Sequence, residues 1–175
     1  MSGATEAALR VRRTGGPCLV QDAGRPGHAA IGVGRSGAAD RSAYDLGNRL
    51  VGNPPGAAAL EVTLGGLEVE AVGRTVWLAV TGAPAPLTVD GRAEPTGSVL
   101  ALRPGAVAAL GLPPTGLRSY LAVRGGLDLP PVLGSRARDT LAGLGPELVG
   151  PGDLLPVGSG AARPMLVDAV PPQAY

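Results

Sequence analysis

ALEVTLGGLEVEAV, at residues 59–72, contains two runs in which apolar and polar side chains alternate, separated by a Gly-Gly pair. A period of two is typical of a strand with one buried face. The runs 59–64 and 67–72 therefore predict a β-hairpin that turns at the two glycines. Its outer face is predicted to carry Glu61, Thr63, Glu68 and Glu70. Of these, Glu61 and Thr63 are candidates to line a groove or to contact a partner protein.

Similar strand patterns extend along the whole chain, separated by glycine and proline. They predict strands at residues 8–13, 18–21, 75–80, 87–89, 98–103, 106–110, 119–124 and 153–157. Asp90-Gly91 is a hairpin signal between two of them. The main helix is predicted at about residues 40–51, capped by Asp40 and ended by Gly52. Many short strands with one or two short helices, and no strand–helix alternation, predict a mainly β domain that is closed or sandwiched.

Composition places the chain among globular proteins. A length of 175 residues with 45% hydrophobic residues is enough for one domain with a core. A net charge of +1 argues against nucleic acid or an anionic membrane as partner. No run approaches the ~18 apolar residues of a membrane span, and the first residues lack a signal-peptide pattern, so a cytoplasmic location is predicted. Cys18 is the single cysteine, which excludes an intramolecular disulfide and favours a buried, unreactive strand residue.

All 15 basic residues are arginine, and lysine is absent. This excludes a P-loop lysine, a Schiff-base lysine and a lysine that carries covalently bound biotin in this chain. Nucleotide or biotin chemistry therefore needs arginine here or residues of another polypeptide.

Residues 20–53 form the stretch with the most polar side chains between glycines. Glycine lets the backbone approach a ligand closely, so this stretch is a candidate wall of a binding site. The alternative is a polar surface loop with an ordinary helix cap. Ser36 has no nearby His–Asp arrangement, so it is interpreted as a turn residue or a phosphate hydrogen-bond donor, not as a nucleophile.

Five blocks of the sequence, taken together, carry a resemblance to a known family. They are VQDAGRPG, GVGRSGAADRSAYDLGNRLVGN, ALEVTLGG, RSYLAVRGGLDLPPVLGSRARDT and GPGDLLPVG, in that order. The chain resembles the family of allophanate hydrolase subunit 2, also known as KipA or as the C subunit of 5-oxoprolinase, which is similar to biotin-dependent carboxyltransferases. The resemblance covers residues 9–158 and only the N-terminal half of the family. It implies a domain at 1–158 and a linker or tail at 159–175, with a second half expected beyond Tyr175 or on a separate chain.

The resemblance implies a cyclophilin-like closed β-barrel that acts in a complex. The partners implied are a KipI-like protein, which is the B subunit of that complex, and a third, LamB/YcsF-like subunit. The implied activity is the hydrolysis of 5-oxoproline to glutamate with ATP and Mg²⁺. The resemblance implies a small-molecule substrate, and it implies no binding to nucleic acid or to a membrane. Two alternatives come from other branches of the family. One is biotin-dependent carboxyl transfer of the urea amidolyase type, and the other is a non-catalytic regulatory module that binds a KipI-like protein.

The chemistry of a lactam indicates which residue types such a site needs. The amide is resonance-stabilised, so coupling to ATP is expected to phosphorylate its oxygen, which requires cations around the phosphate. Arg25, Arg35, Arg124 and Arg136 are candidates for this clamp, and the alternative for each is a structural salt bridge. The paired glycines after Arg124 either present N–H groups to an oxyanion or form a tight turn.

The resulting hypothesis assigns two sets of residues. The predicted catalytic residues are Asp22, Arg25 and Asp40. The carboxylates of Asp22, Asp40 and Asp139 are candidate acid/base groups or Mg²⁺ ligands. No site for a resident metal ion is predicted. The predicted substrate- or phosphate-binding residues are Gln21, Ser36, Gly37, Arg124, Gly125, Gly126, Ser135, Arg136 and Asp139.

Overall fold

Eleven strands and one α-helix make up the computed structural model, which describes residues 6–160 and 163–165. The helix α1 spans Arg41–Leu50, and a short 3₁₀ turn spans Ala29–Ile31. The strands are β1 Ala8–Arg13, β2 Cys18–Gln21, β3 Ala59–Thr63, β4 Leu67–Val72, β5 Val76–Gly82, β6 Leu87–Val89, β7 Arg92–Glu94, β8 Val99–Leu102, β9 Val107–Leu110, β10 Arg118–Val123 and β11 Leu154–Pro156. Of the predicted tail at 159–175, residues 161–162 and 166–175 lie outside the described part.

The strands form two antiparallel sheets that enclose the main core. The first sheet has the order β11-β1-β4-β9-β6-β7, and the second has the order β2-β3-β10-β5-β8. Within the described residues, neither sheet closes on itself, and no named strand of one sheet pairs with a strand of the other. The mainly β prediction is confirmed, whereas the closed barrel is not. A hairpin does turn at Asp90-Gly91, but it joins β6 to β7, a short strand that the sequence patterns did not predict.

The predicted hairpin of β3 and β4 is wrong, because the two strands lie in different sheets. β3 pairs with β2 and β10, and β4 pairs with β1 and β9. Between them Leu64, Gly65 and Gly66 have positive φ angles of 57°, 66° and 74°, which carry the chain across to the other sheet. A side chain at Gly65 would overlap the Gly111 carbonyl oxygen, so the glycine is required for close approach.

Glu61 was predicted on the outer face of that hairpin, and it is buried instead. Its Oε2 atom accepts hydrogen bonds from the Tyr120 hydroxyl (2.8 Å) and the Ala39 N–H (2.9 Å). The Arg118 Nε atom lies 3.2 Å from Oε1. Helix α1 and the segment before it cover this face of the second sheet. The expectation that Glu61 lines a groove or contacts a partner is therefore wrong, while Thr63 remains half-buried at the end of β3.

Helix α1 packs on the outer face of the second sheet, against β5 and β10. Asp40 caps it as predicted, since its Oδ1 atom accepts a hydrogen bond from the Ala43 N–H at 3.0 Å. The rings of Tyr44 and Tyr120 meet edge to face, with their centroids 6.3 Å apart. A second, smaller core thus lies beneath the helix and fixes the start of α1 over the second sheet.

Two further sequence predictions concern burial and hydropathy. Cys18 lies in β2 and is buried, as predicted. In the part of the chain that the structure describes, no helix is both long and apolar enough to cross a membrane.

Candidate functional site

Two loops meet beside the ends of β2, and we call their contact the loop junction (residues 20–38 and 132–145). The Arg138 N–H of the second segment donates to the Val20 carbonyl of the first at 2.9 Å. Within the first segment, the Ala38 N–H donates to the Asp22 carbonyl at 2.9 Å. The loop junction brings together eight of the twelve predicted site residues. They are Gln21, Asp22, Arg25, Ser36, Gly37, Ser135, Arg136 and Asp139.

Asp22 is the centre of the loop junction and is buried. Its Oδ1 atom accepts hydrogen bonds from the Gly24 N–H (2.7 Å) and the Ser135 hydroxyl (2.6 Å). Its Oδ2 atom accepts from the Arg136 N–H at 2.6 Å. Charge-assisted hydrogen bonds of this length are strong, so the carboxylate ties the two loops together.

Arg25 is buried completely within the same junction. Its Nε atom donates to the Val132 carbonyl at 3.3 Å, and its Nη2 atom donates to the Ala137 carbonyl. Its Nη1 atom lies 3.9 Å from Asp139 Oδ2, which makes a long ion pair. The predicted structural alternative for this arginine, pairing with an aspartate, is therefore present in the fold.

Asp139 forms a turn of its own at the far side of the junction. Its Oδ1 atom accepts hydrogen bonds from the Leu141 N–H (3.0 Å) and the Ala142 N–H (2.9 Å). These bonds, above all the one from Ala142, together with the Ser36 hydroxyl and the Arg25 cation, hold the pKa of Asp139 below its ordinary value. The group is a stable anion and not a proton donor at neutral pH.

The remaining junction residues shape the backbone. The Gln21 Nε2 atom donates to the Arg138 carbonyl at 3.0 Å. Ser36 and Gly37 have positive φ angles of 53° and 91°, and they turn the chain back against Asp22. Arg35, a candidate for the phosphate clamp, is exposed, and its carbonyl accepts the Arg25 N–H at 2.7 Å.

Four predicted residues lie outside the junction, and Asp40 and Arg124 are two of them. Asp40 caps α1, and its own N–H donates to the Tyr120 hydroxyl at 2.7 Å. The Arg124 Nη1 atom donates to the carbonyls of Val51 and Arg163, each at 2.9 Å, at the end of α1. Neither residue makes a hydrogen bond or ion pair to the loop junction among the described residues. The structure therefore does not gather the four candidate arginines into one clamp.

A surface cleft of about 330 Å³ lies next to the loop junction, and we call it the glycine cleft. Its lining residues are mostly glycine, alanine and proline, from residues 54–58, 125–128 and 158–160. Predicted residues Gly125 and Gly126 line it, and so does Arg136. Arg136 thus belongs to both places, since its N–H bonds to Asp22 in the junction and its side chain reaches the cleft.

The two glycines of the cleft form a tight turn, which was one of the two predicted alternatives. The Gly125 N–H donates to Asn53 Oδ1 at 2.8 Å, and the Gly126 N–H donates to the Val123 carbonyl at 2.9 Å. Asn53 also donates to the Val123 carbonyl at 2.7 Å, so it satisfies backbone groups as the sequence predicted. Both glycine N–H groups are used within the chain, so neither is available to an oxyanion.

Two of the residues that line the cleft are Arg136 and Asp128. The Arg136 Nη2 atom donates to Asp128 Oδ1 at 3.0 Å, and Arg136 Nε donates to the Leu129 carbonyl at 2.6 Å. Asp128 was not among the predicted site residues. The sequence does place this carboxylate two residues after Gly125-Gly126, in a block that carries the family resemblance.

The fit of a nucleotide or a metal ion can be tested on the same geometry. A side chain at Gly24 would meet the carbonyl oxygen of Ser36 at 2.5 Å, so this glycine permits contact within the chain and not access to a phosphate. Within residues 6–160 and 163–165, no group of three or more His, Cys, Asp or Glu residues is placed to hold a metal ion. Gly24 therefore leaves no open space for a phosphate at its own position in the loop junction.

Comparison with known families gives one match that covers most of the chain. The family model described as "Carboxyltransferase domain, subdomain A and B" matches residues 31–174.

Individual relatives and solved structures agree with this match. The chain is 43% identical over 153 residues to the C subunit of 5-oxoprolinase from Escherichia coli (strain K12), covering 86% of this chain and 49% of that protein. It is 37% identical over 139 residues to urea amidolyase of Saccharomyces cerevisiae, covering 79% of this chain and 8% of that protein. The crystal structure of TTHA0988 superposes with a TM-score of 0.87 at 31% identity, covering 99% of this chain and 35% of that chain. The chain thus spans about half the length of the first relative and less of the other two.

Proposed function

The chain belongs to the family of the carboxyltransferase domain, subdomain A and B, and we propose that it acts there as a subunit of an ATP-dependent amide hydrolase that converts 5-oxoproline to glutamate. The observation that carries this proposal is the identity of 43% to the C subunit of a 5-oxoprolinase across 86% of the chain. The identity to urea amidolyase is lower, at 37% across 79% of the chain.

The residues of the glycine cleft favour an anionic substrate over a neutral one. 5-Oxoproline carries a carboxylate, whereas urea carries no charge. Arg136 places a guanidinium in the cleft, and this group binds carboxylates through paired N–H donors. We assign the substrate to this cleft and Arg136 to its carboxylate.

The predicted catalytic roles of Asp22, Arg25 and Asp40 stay predictions. The contacts of Asp22 and Arg25 support a positioning role, in which they hold the loop that contains Arg136. Asp40 supports the start of α1. We therefore expect variants of Asp22 to change activity through the placement of Arg136.

ATP and Mg²⁺ are assigned to another subunit of the complex. When bound, ATP supplies the phosphoryl group that activates the lactam. This assignment is supported by the absence of lysine from the chain and by the close packing of the loop junction at Gly24. The partners in this proposal are a KipI-like subunit and a third, LamB/YcsF-like subunit.

Reconstitution tests the proposed function. The chain is mixed with the two partner subunits, ATP, Mg²⁺ and 5-oxoproline, and released glutamate is quantified. Glutamate formation should require all three subunits and ATP. No glutamate above the control that lacks this chain would refute the proposal.

A second candidate is carboxyl transfer from carboxybiotin to urea, which the match to urea amidolyase favours. Because this chain has no lysine, the biotin would come from another polypeptide. Consumption of carboxybiotin that depends on urea, with no response to 5-oxoproline, would select this candidate.

A further inference from the structure

We propose that Arg136 and Asp128 form a two-point recognition site for small carboxylates that bear an N–H group on the carbon next to the carboxylate. The inference deepens the proposed function and rests on it for the identity of the reaction. The observation that carries it is the pairing of a guanidinium and an exposed carboxylate within one cleft built from small residues.

Two hydrogen bonds fix the Arg136 guanidinium and a third fixes its backbone, so the remaining guanidinium donors have a set direction. The backbone N–H donates to Asp22 Oδ2 (2.6 Å), the Nε atom to the Leu129 carbonyl (2.6 Å) and the Nη2 atom to Asp128 Oδ1 (3.0 Å). Among the described residues, its Nη1 atom has no hydrogen-bond partner. The side chain is 35% exposed. A fixed guanidinium loses little entropy on binding, and a carboxylate ligand would accept its free N–H groups.

Asp128 supplies the second point. Its backbone is held by the bond from its N–H to the Pro156 carbonyl at 2.9 Å, and its side chain is 62% exposed. Only its Oδ1 atom takes part in the pair with Arg136. Its Oδ2 atom, which has no hydrogen-bond partner among the described residues, is an acceptor for an N–H group of a ligand.

The walls of the glycine cleft leave room for a small ring. They include Gly125, Gly126, Gly158, Ala57 and Ala58, none of which has a long side chain. A volume of about 330 Å³ is at the small end of the range for ligand sites. The cleft therefore suits a ligand of the size of an amino acid.

The proposed ligand class follows from the relative positions of the Arg136 guanidinium and the Asp128 carboxylate. A carboxylate that faces Arg136 places the N–H group of its α-carbon beside Asp128. The ring N–H of 5-oxoproline and the ammonium group of glutamate both occupy this position. The site thus recognises the substrate and the product of the proposed reaction, and we expect glutamate to compete with 5-oxoproline.

An NMR titration of the full chain separates the two points of recognition. The probes are 5-oxoproline, glutamate, cyclopentanecarboxylate, 2-pyrrolidinone and urea, and the readout is the amide shifts of residues 125–128. Cyclopentanecarboxylate lacks the N–H group, and 2-pyrrolidinone and urea lack the carboxylate. We expect 5-oxoproline and glutamate to bind about tenfold or more tightly than these three, since each lost charge-assisted bond has an effect of this order. Equal binding of cyclopentanecarboxylate, or no shift with 5-oxoproline, would overturn the site.

Variants assign each point to its residue. Arg136→Gln should weaken the binding of 5-oxoproline and of cyclopentanecarboxylate about tenfold or more. Asp128→Asn should weaken the binding of 5-oxoproline but leave that of cyclopentanecarboxylate unchanged. Arg13→Gln is the matched control, because Arg13 forms a similar pair with Glu68 at 3.0 Å outside the cleft. An effect of Arg13→Gln as large as that of Arg136→Gln, or no effect of the two cleft variants, would contradict the proposal.

Different experimental results would refute the proposed binding site and the proposed function. Binding of 5-oxoproline in the cleft without turnover by the assembled complex would refute the function and support the site. Turnover with a KM that neither Arg136→Gln nor Asp128→Asn changes would support the function and overturn the site.

Discussion

Replacing Asp22 tests whether one buried carboxylate holds the loop junction together. Asp22→Ala removes three charge-assisted hydrogen bonds, of 2.7, 2.6 and 2.6 Å, to Gly24, Ser135 and Arg136. Each such bond contributes about 1.5–3 kcal/mol. The three share one acceptor group, and water reaches some of the freed donors, so we expect a loss of about 3–5 kcal/mol in the free energy of unfolding.

Asp22→Asn refines the same test. The amide keeps an acceptor for Gly24 and Ser135 but turns its NH₂ group toward the Arg136 N–H. Two donors then face each other at the position that supports Arg136. We expect a loss of about 2–3 kcal/mol, smaller than that of Asp22→Ala.

Urea denaturation followed by circular dichroism measures these changes. Asp153→Ala is the control, because Asp153 accepts a single exposed bond from the Gly150 N–H at 2.8 Å, and we expect it to cost about 0.5–1 kcal/mol. A loss in Asp22→Ala no larger than that in Asp153→Ala would refute the structural reasoning. If turnover of the complex then also disappeared, Asp22 would act in the chemistry itself, as the sequence predicted.

Three further predictions concern the backbone, pH dependence and thiol reactivity. Gly125→Ala should lower the free energy of unfolding by more than Gly91→Ala, because a side chain at Gly125 would overlap the Gly158 carbonyl oxygen. Gly91 is the control, since it has a similar φ and open space around it. Equal losses of stability in urea denaturation would contradict this prediction. The lowered pKa of Asp139 adds stability that is present above its ordinary value of 3.8 and is lost as the pH falls through the folded-state pKa. From about pH 5 to about pH 2, the wild-type protein should therefore lose more stability than Asp139→Asn, and parallel curves would exclude the effect. Burial, and secondarily Glu61, raises the pKa of Cys18 to about 12, so the folded protein should react with Ellman's reagent far more slowly at pH 8 than the unfolded chain, and equal rates would show an accessible thiol.

Local patterns in the sequence were sufficient for most elements. The alternation in 59–72 and elsewhere placed every described strand except the short β7, and the bounds of β1, β2, β4 and β6 agree with the prediction. The amphipathic pattern and the cap at Asp40 placed α1 within one residue at each end. These features depend on residues close together in the chain, so sequence period and capping chemistry determine them.

The partners of the strands could not be predicted in the same way. Alternation shows that β3 and β4 each have a buried face, but it does not show that the two strands lie in different sheets. That outcome depends on the close approach of Gly65 to Gly111, between residues far apart in sequence. The burial of Glu61 has the same origin, because its neighbours Ala39 and Tyr120 come from other parts of the chain.

For the candidate site too, the residue types could be predicted from the sequence, whereas their contacts could not. Sequence motifs identified Asp22, Gly125 and Arg136 as candidate site residues, and the absence of lysine excluded several chemistries before any fold was known. Only the tertiary structure placed Asp22 beneath the backbone of Arg136, a contact across 114 residues, and set the Arg136 guanidinium beside Asp128 in a cleft. The physical reason is that residue type specifies which bonds a group can make, whereas long-range packing decides which partner it meets.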